Sequence, residues 1–223
     1  MRFFNPHNLK GTLICVEGID GSGKSTQLSI LHDWLKSKNL DVIFTEWNSS
    51  DLISQTTKKA KKKNLLSPRT FSLLHAVDFA DRLEQVIIPA MKAGFIVLAD
   101  RYVYTAFARD VARGVDKDWV RNMYGFAIKP DLTLYYDISA EISLERICSN
   151  RAPSFYEAGM DLKLSNNPYK SYVIFQNMVN QEYSNMVDEF NLMKIDANMS
   201  IHSKQVKLRE YVRELLAKKG IDI

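Results

Sequence analysis

Gly18-Ile19-Asp20-Gly21-Ser22-Gly23-Lys24-Ser25-Thr26 is the stretch from which the rest of the chain is read. It fits G-x-x-x-x-G-K-[ST], a loop whose glycines let backbone N–H groups turn inward around phosphate oxygens. Its context supports the match. Thr12 to Glu17 ahead of it is a short apolar run of strand character. Behind it, Ser25 to about Lys38 carries Leu28, Leu31, Trp34 and Leu35 at helical spacing. Strand, glycine loop and helix in that order put bound phosphates at a helix N-terminus, where the backbone dipoles favour negative charge. In such a loop Gly18, Ile19, Asp20, Gly21, Ser22, Gly23 and Thr26 shape the cradle. Lys24 reaches the β- and γ-phosphates of ATP, and Ser25 offers its hydroxyl to Mg²⁺.

Working outward, strands alternate with helices. Asp41–Thr45, Phe95–Ala99, Leu132–Ile138 and Leu192–Ile195 read as further strands. Ser67-Pro68 is a helix start, and periodicity from Phe71 through Val86 predicts a long helix, kinked near Pro89 and ending before Gly94. Residues 103–128 read as one or two helices broken near Gly114, and a helix runs from the fourth strand to about Asn150. Tyr169–Glu189 and Ile201–Ala217 complete the pattern. Short strands, apolar on both faces, predict a five-stranded parallel sheet covered on both sides, a three-layer α/β fold. Residues 1–223 form one domain on this reading, and the weakly periodic segment 151–167 is a mobile flap or lid.

Composition narrows the class. Apolar residues make up 46% and charged residues 25% of the 223, which excludes a disordered chain. No apolar stretch is long enough to span a membrane, and Met1 to Lys10 holds no run of signal-peptide length. Cys15 and Cys148 read as reduced, core-type thiols, so the expected compartment is the cytoplasm. A net charge of +4 does not call for nucleic acid and suits a small anionic ligand. Lys58, Lys59, Lys61, Lys62 and Lys63 form a dense basic run, read as a solvated helix end with attraction of nucleotides as its alternative.

A phosphate loop serves several chemistries. The chain has no N-K-x-D, and its D-x-x-G, Asp20 to Gly23, lies inside the loop itself, which argues against a GTP-binding switch. Motors and helicases are generally longer. A small-molecule kinase remains. A second site supports it: Asp100-Arg101-Tyr102 stands at the carboxyl end of the third strand, where open parallel sheets bind ligands. An acid there can organise Mg²⁺ opposite Ser25, and the adjacent arginine can grip a phosphate bidentately.

Together these pieces resemble the thymidylate kinase family over nearly the whole chain. The resemblance is carried by Glu17 through Gln27, by the Arg82 helix ending Ile88-Pro89-Ala90, and by Asp100-Arg101-Tyr102. Ala112-Arg113-Gly114, Lys129-Pro130-Asp131-Leu132 and Ile195-Asp196-Ala197 extend it. The resemblance implies phosphoryl transfer from ATP to a nucleoside monophosphate, most of all dTMP, by a homodimer. It implies that Asp20 lies near the acceptor sugar, Arg82 hydrogen-bonds the base, Arg101 grips the acceptor phosphate and Thr105 lines the acceptor site. Asp100 would serve magnesium, and Arg146 and Asn198 would border the adenine. Some members carry a basic residue after the loop aspartate; here that position is Gly21, which leaves Arg151 as the catalytic lid arginine.

The chain departs from the family pattern around the acceptor. Glu46-Trp47-Asn48-Ser49-Ser50 replaces an Arg-Glu-Pro-Gly stretch, so an acceptor-phosphate arginine is missing there. Asp78 stands where the family often places a stacking Phe, with Phe79 or His75 as substitutes, and Arg109-Asp110 replaces a Tyr-Gln pair. Trp47 offers stacking or core packing. Two other classes fit the motifs: a P-loop deoxynucleoside kinase, needing Glu17 or Asp100 as a base, and a non-catalytic nucleotide sensor.

Overall fold

The computed structural model describes residue 4, residues 7–62 and residues 66–223. Strand β1 (Thr12–Glu17) runs through the phosphate loop into helix α1 (Lys24–Ser37), then β2 (Val42–Glu46), α2 (Ser54–Lys62) and α3 (Pro68–Arg82). A π-helical turn, Leu83–Ile87, leads into α4 (Ile88–Ala93), followed by β3 (Ile96–Asp100), α5 (Val103–Ala112) and α6 (Lys117–Met123). After β4 (Leu132–Asp137) and α7 (Ala140–Cys148) come a single 3₁₀ turn, Met160–Leu162, then α8 (Pro168–Phe190), β5 (Met193–Asp196) and α9 (Ile201–Lys218).

The strands form one sheet in the order β2-β3-β1-β4-β5, and every pairing is parallel. This is the architecture the alternation predicts. β1 is central, paired with β3 on one side and β4 on the other, and all six of its residues are buried. Burial on both faces is why it reads as an unbroken apolar run. The chain leaves β1 toward β2 and later returns to the other side of β1 as β4, so a crevice opens at the carboxyl ends of the strands. Both motifs lie there: the phosphate loop after β1, and Asp100-Arg101-Tyr102 at the end of β3.

Local chemistry sets the boundaries. The Ser67 side chain accepts from the Thr70 N–H ahead of Pro68, and Asn167 caps α8 by accepting from Tyr169 and Lys170. The expected kink at Pro89 is instead a widening one turn earlier. Pro89 has no N–H and its ring crowds the carbonyl four residues back, at Gln85; the π-turn absorbs this, and the helical path continues. Gly114, at φ 82°, separates α5 from α6.

One expectation is corrected: Cys148 is exposed, because it ends α7 on its outer side, whereas Cys15 is buried in β1. The segment 151–167, expected as a mobile flap, packs onto the domain here: Ala158 is fully buried, the Gln176 side chain donates to the Glu157 carbonyl (2.7 Å), and Arg113 pairs with Asp161 (3.0 Å). Lys63 of the basic run lies outside the described residues. Among the described residues no helix is long and apolar enough to cross a membrane.

Candidate active site

The crevice holds a cavity of about 720 Å³, within the usual size of a small-molecule site. One end is the phosphate loop: Asp20, Gly21, Gly23, Lys24, Ser25 and Thr26 line it, with Asp100 and Arg101 facing them. Gly18 is fixed by close approach: at φ 136°, a side chain there would come within 2.6 Å of the Tyr136 carbonyl oxygen. Lys24 is folded back along the loop, donating to the Ile19 carbonyl (2.8 Å) and Ser22 Oγ (3.2 Å). Burial, with Arg101 nearby, pushes its ammonium down to about 7.

Ser25 Oγ donates to Asp100 Oδ2 at 2.5 Å. A hydroxyl and a carboxylate in contact, on the wall of a phosphate site, form a fitting donor set for Mg²⁺. That ion takes few protein ligands and completes its shell with phosphate and water. Among the described residues no group of three or more His, Cys, Asp or Glu side chains is arranged to hold a metal ion.

Arg101 adopts φ 71°, a left-handed conformation unusual for a side-chain-bearing residue. Its backbone N–H donates to the Val16 carbonyl (2.9 Å), and its guanidinium donates to the Gly18 carbonyl (2.9 Å) and Asp20 Oδ1 (2.6 Å). Arg109 takes the other oxygen of Asp20. Against the cost of burial, Arg109, Arg101 and Lys24 together hold the Asp20 carboxyl far below the usual carboxylate range. Buried Arg101 and part-buried Arg109 thus share one carboxylate, a pair of cations suited to a more highly charged anion. Arg109, expected from the sequence among the acceptor-binding residues, stands on α5, the helix that follows the Arg101 turn.

Behind this wall lies buried Glu17, which accepts from the Tyr102 N–H (2.7 Å), Thr105 Oγ1 (2.6 Å) and Tyr183 OH (2.8 Å). Thr105 therefore supports Arg101 from below, at 3.3 Å from its Nη1, and does not line the cavity.

The other end is aromatic and cationic. Trp47, Asn48, Lys61, Lys62, Phe71, His75, Arg113 and the segment Ser154 to Glu157 line it. Phe71 stacks on Tyr156, with ring centroids 4.8 Å apart and planes within 16°. Arg113 fastens the segment there, donating to the Tyr156 carbonyl (2.7 Å) and to Asp161.

Several expected residues are not on this wall. Phe79 is fully buried in the core, among Trp47, Tyr102 and Tyr124. It lies one position from Asp78, enough to turn it toward the sheet. Arg82 is likewise buried: its Nη2 donates to the Arg101 carbonyl (2.9 Å), and its guanidinium lies 5.5 Å from the Trp47 ring centroid. Trp47 fills the space beside Arg82. Asp78 accepts from the Asn48 and Ser50 N–H groups (3.0 Å each), so it holds the loop after β2. Arg151 is forked onto Glu157 (2.7 Å to each oxygen), outside the cavity wall. Arg146 bridges the Gly21 carbonyl (3.5 Å) and the Ala197 carbonyl (3.2 Å), tying the loop to the segment after β5. Asn198 is exposed beside it. Phe71, Tyr156 and Lys61 were not foreseen at the site, since each comes from a different segment and only packing joins them.

Comparison with known proteins accords with this geometry. A family model described as thymidylate kinase matches residues 16–207. The chain is 45% identical over 210 residues to a probable thymidylate kinase 2 of Saccharolobus solfataricus, covering 93% of this chain and 98% of that one. It is 30% identical over 210 residues to a probable thymidylate kinase of Thermococcus kodakarensis, covering 88% and 96% respectively. With a thymidylate kinase of Halothermothrix orenii it shares 32% identity over 198 residues, 86% of this chain and 91% of the other. From its loop, its Asp-Arg-Tyr turn and these matches, the chain belongs to the thymidylate kinase family.

Proposed function

We propose that this site transfers the γ-phosphoryl group of ATP to dTMP, giving ADP and dTDP. The observation that carries the reading is the convergence of Lys24 and Ser25 with Asp100 and Arg101 at one end of a single cavity. Lys24 neutralises charge between the β- and γ-phosphates. Arg101 and Arg109, exchanging Asp20 for the acceptor phosphate, hold that phosphate in line; Asp20 is then free to turn toward the sugar. Ser25 and Asp100 would hold Mg²⁺, which shields the triphosphate oxygens when bound. An acceptor phosphate oxygen forms the new P–O bond as the β–γ bridging bond breaks, and the leaving charge stays on ADP. No base is required, so catalysis comes from alignment and charge neutralisation.

The nucleoside-kinase alternative fares worse. Its candidate base Glu17 is buried away from the cavity and satisfied by three donors, and Asp100 is engaged by Ser25. ADP release measured with dTMP, dUMP, other monophosphates and free nucleosides tests the assignment. Turnover with nucleosides in preference to monophosphates would overturn it, and turnover with none would favour a sensor. The homodimer is supported by Leu73 and Val77, apolar residues exposed one turn apart on α3. A monomer in sedimentation at micromolar concentration would refute it.

A further inference from the structure

Of the described lysines in the basic run, Lys58, Lys59 and Lys62 are exposed, and Lys61 turns inward. Its Nζ lies 5.1 Å from the centroid of Phe71 and has no hydrogen-bond or ion-pair partner among the described residues. Burial, with Arg109 and Arg113 nearby, pushes its ammonium down to about 8. A lysine ammonium in a cavity that Arg109 and Arg113 also line is favoured by an acceptor placed against it. Its neighbour His75 is 4% exposed, with its ring centroid 4.3 Å from that of Phe71 and Nε2 unpartnered among the described residues. Burial, with Lys61 and Arg113 nearby, keeps His75 neutral, so it carries one donor and one acceptor.

Both side chains line the cavity beside Phe71, in the same cavity that Lys24 and Arg101 line. Arg82 and Phe79 do not line it. On the reading that the cavity takes a nucleoside monophosphate, the phosphate falls at the Arg101 end and the base at the Phe71 end.

The geometry points to Lys61 and His75 as the residues that read the acceptor base, Lys61 donating to a ring carbonyl oxygen and His75 pairing with the adjacent ring N–H. The complementary edge is the C=O/N–H edge of thymine or uracil. Cytosine presents an amino group where Lys61 needs an acceptor, so two donors would face each other. This assignment rests on the monophosphate-kinase reading and moves base recognition from the C-terminal turn of α3 to its first half and to α2.

The test is steady-state kinetics with dTMP and dCMP, and inhibition by thymidine competing with dTMP, for the parent, Lys61→Met and Lys61→Arg. Lys61→Met should raise the dTMP KM by roughly 10- to 100-fold, the range for one charge-assisted hydrogen bond. It should weaken thymidine inhibition by a similar factor, shift the ATP KM and the dCMP KM little, and so erase the dTMP preference. Lys61→Arg should recover part of it, and His75→Phe should also narrow the preference. Equal rises for dTMP and dCMP with unchanged thymidine inhibition would put Lys61 at the phosphate and overturn the assignment, as would no change at all. A parent that does not phosphorylate dTMP would instead overturn the reading of the site on which the assignment stands.

Discussion

Arg82 Nη2 donates to the backbone carbonyl of Arg101 across 2.9 Å, so one arginine holds the turn that aims the other. The turn needs holding: Arg101 sits at φ 71°, and its side chain spans Gly18 and Asp20 of the phosphate loop. Arg82 itself is buried against Trp47 and Phe79, with Nε and Nη1 lacking a hydrogen-bond partner among the described residues. We infer from this contact that Arg82 is a positioning residue, acting on substrate through Arg101.

Arg82→Met should therefore lower kcat/KM for every acceptor alike, by about tenfold or more, as expected for losing a hydrogen bond from a charged donor. The ratio of dTMP to dCMP efficiency should stay constant, and Arg82→Lys should recover part of the loss. A base-reading arginine would behave differently, changing the ratio. Kinetics with the two acceptors, alongside thermal melts to verify folding, separate the cases.

Lys24→Ala should cut kcat by two orders of magnitude or more while the chain stays folded. A single donor aimed at developing charge in a water-poor site is worth about 3 kcal/mol or more. Its loss removes only two contacts inside the loop, to Ile19 and Ser22. A folded variant with near-parental kcat would show that another group neutralises the β–γ oxygen.

How much of this the chain declares in advance depends on how local each signal is. The run from Thr12 to Thr26 is continuous, so strand, loop and helix are legible together, and with them the sheet and the phosphate end of the cavity. Asp100-Arg101 is legible for the same reason, since a strand end fixes where it points. The acceptor end depends on which face of α3 meets the cavity: Phe71 and His75 line it, and Phe79 and Arg82 do not. Trp47, contributed by the loop after β2, packs onto Phe79 and Arg82 and leaves Phe71 and His75 as the wall. Lys61 looked like one of several solvated lysines; only the placement of α2 turns it inward. No periodicity within α2 or α3 contains that information.

Asp110 gives a pH test. It is buried, accepts from Ser72 Oγ at 2.5 Å, and has its other oxygen unpartnered among the described residues. Burial lifts its carboxyl from an ordinary 3.8 to about 6. With the folded-state value above the unfolded one, the folded chain binds the proton more tightly. The resulting stability is present at low pH and is lost as pH rises from about 4 to about 6. Above that window the ionised group costs up to about 3 kcal/mol, taking 1.36 kcal/mol per unit. Asp110→Asn should thus gain stability relative to the parent as pH rises from 4.5 to 7.5. Denaturant melts at the two ends of that roughly 3-unit span check the sign. A variant that loses ground at the higher pH would mean that Arg113 and Arg109 stabilise the anion more than burial opposes it.

Arg151 offers the last test, and its partner sharpens it. Both nitrogens of its fork lie 2.7 Å from Glu157, an acid that lines the cavity while Arg151 does not. Gly21 supplies no side chain to the phosphate loop, so charge spreading over the γ-phosphoryl oxygens is covered by Lys24 on one side and needs a cation on the other. For Arg151 to be that cation it must leave Glu157 and swing inward when ATP binds, a short movement about a segment that Arg113 and Gln176 keep anchored. The contact then exists mainly in the transition state. Arg151→Ala should reduce kcat by about 10³, the scale of a supplied arginine, with little change in the ATP KM. Arg146→Ala should show the reverse, a raised ATP KM with a milder loss of kcat, because Arg146 ties Gly21 to Ala197 without facing the cavity. Glu157→Gln weakens the resting pair, so it should keep kcat at or above the parental value. If Arg151→Ala stays within a few-fold of the parent, the fork onto Glu157 is a fixed brace of the segment and the transition-state charge is met elsewhere.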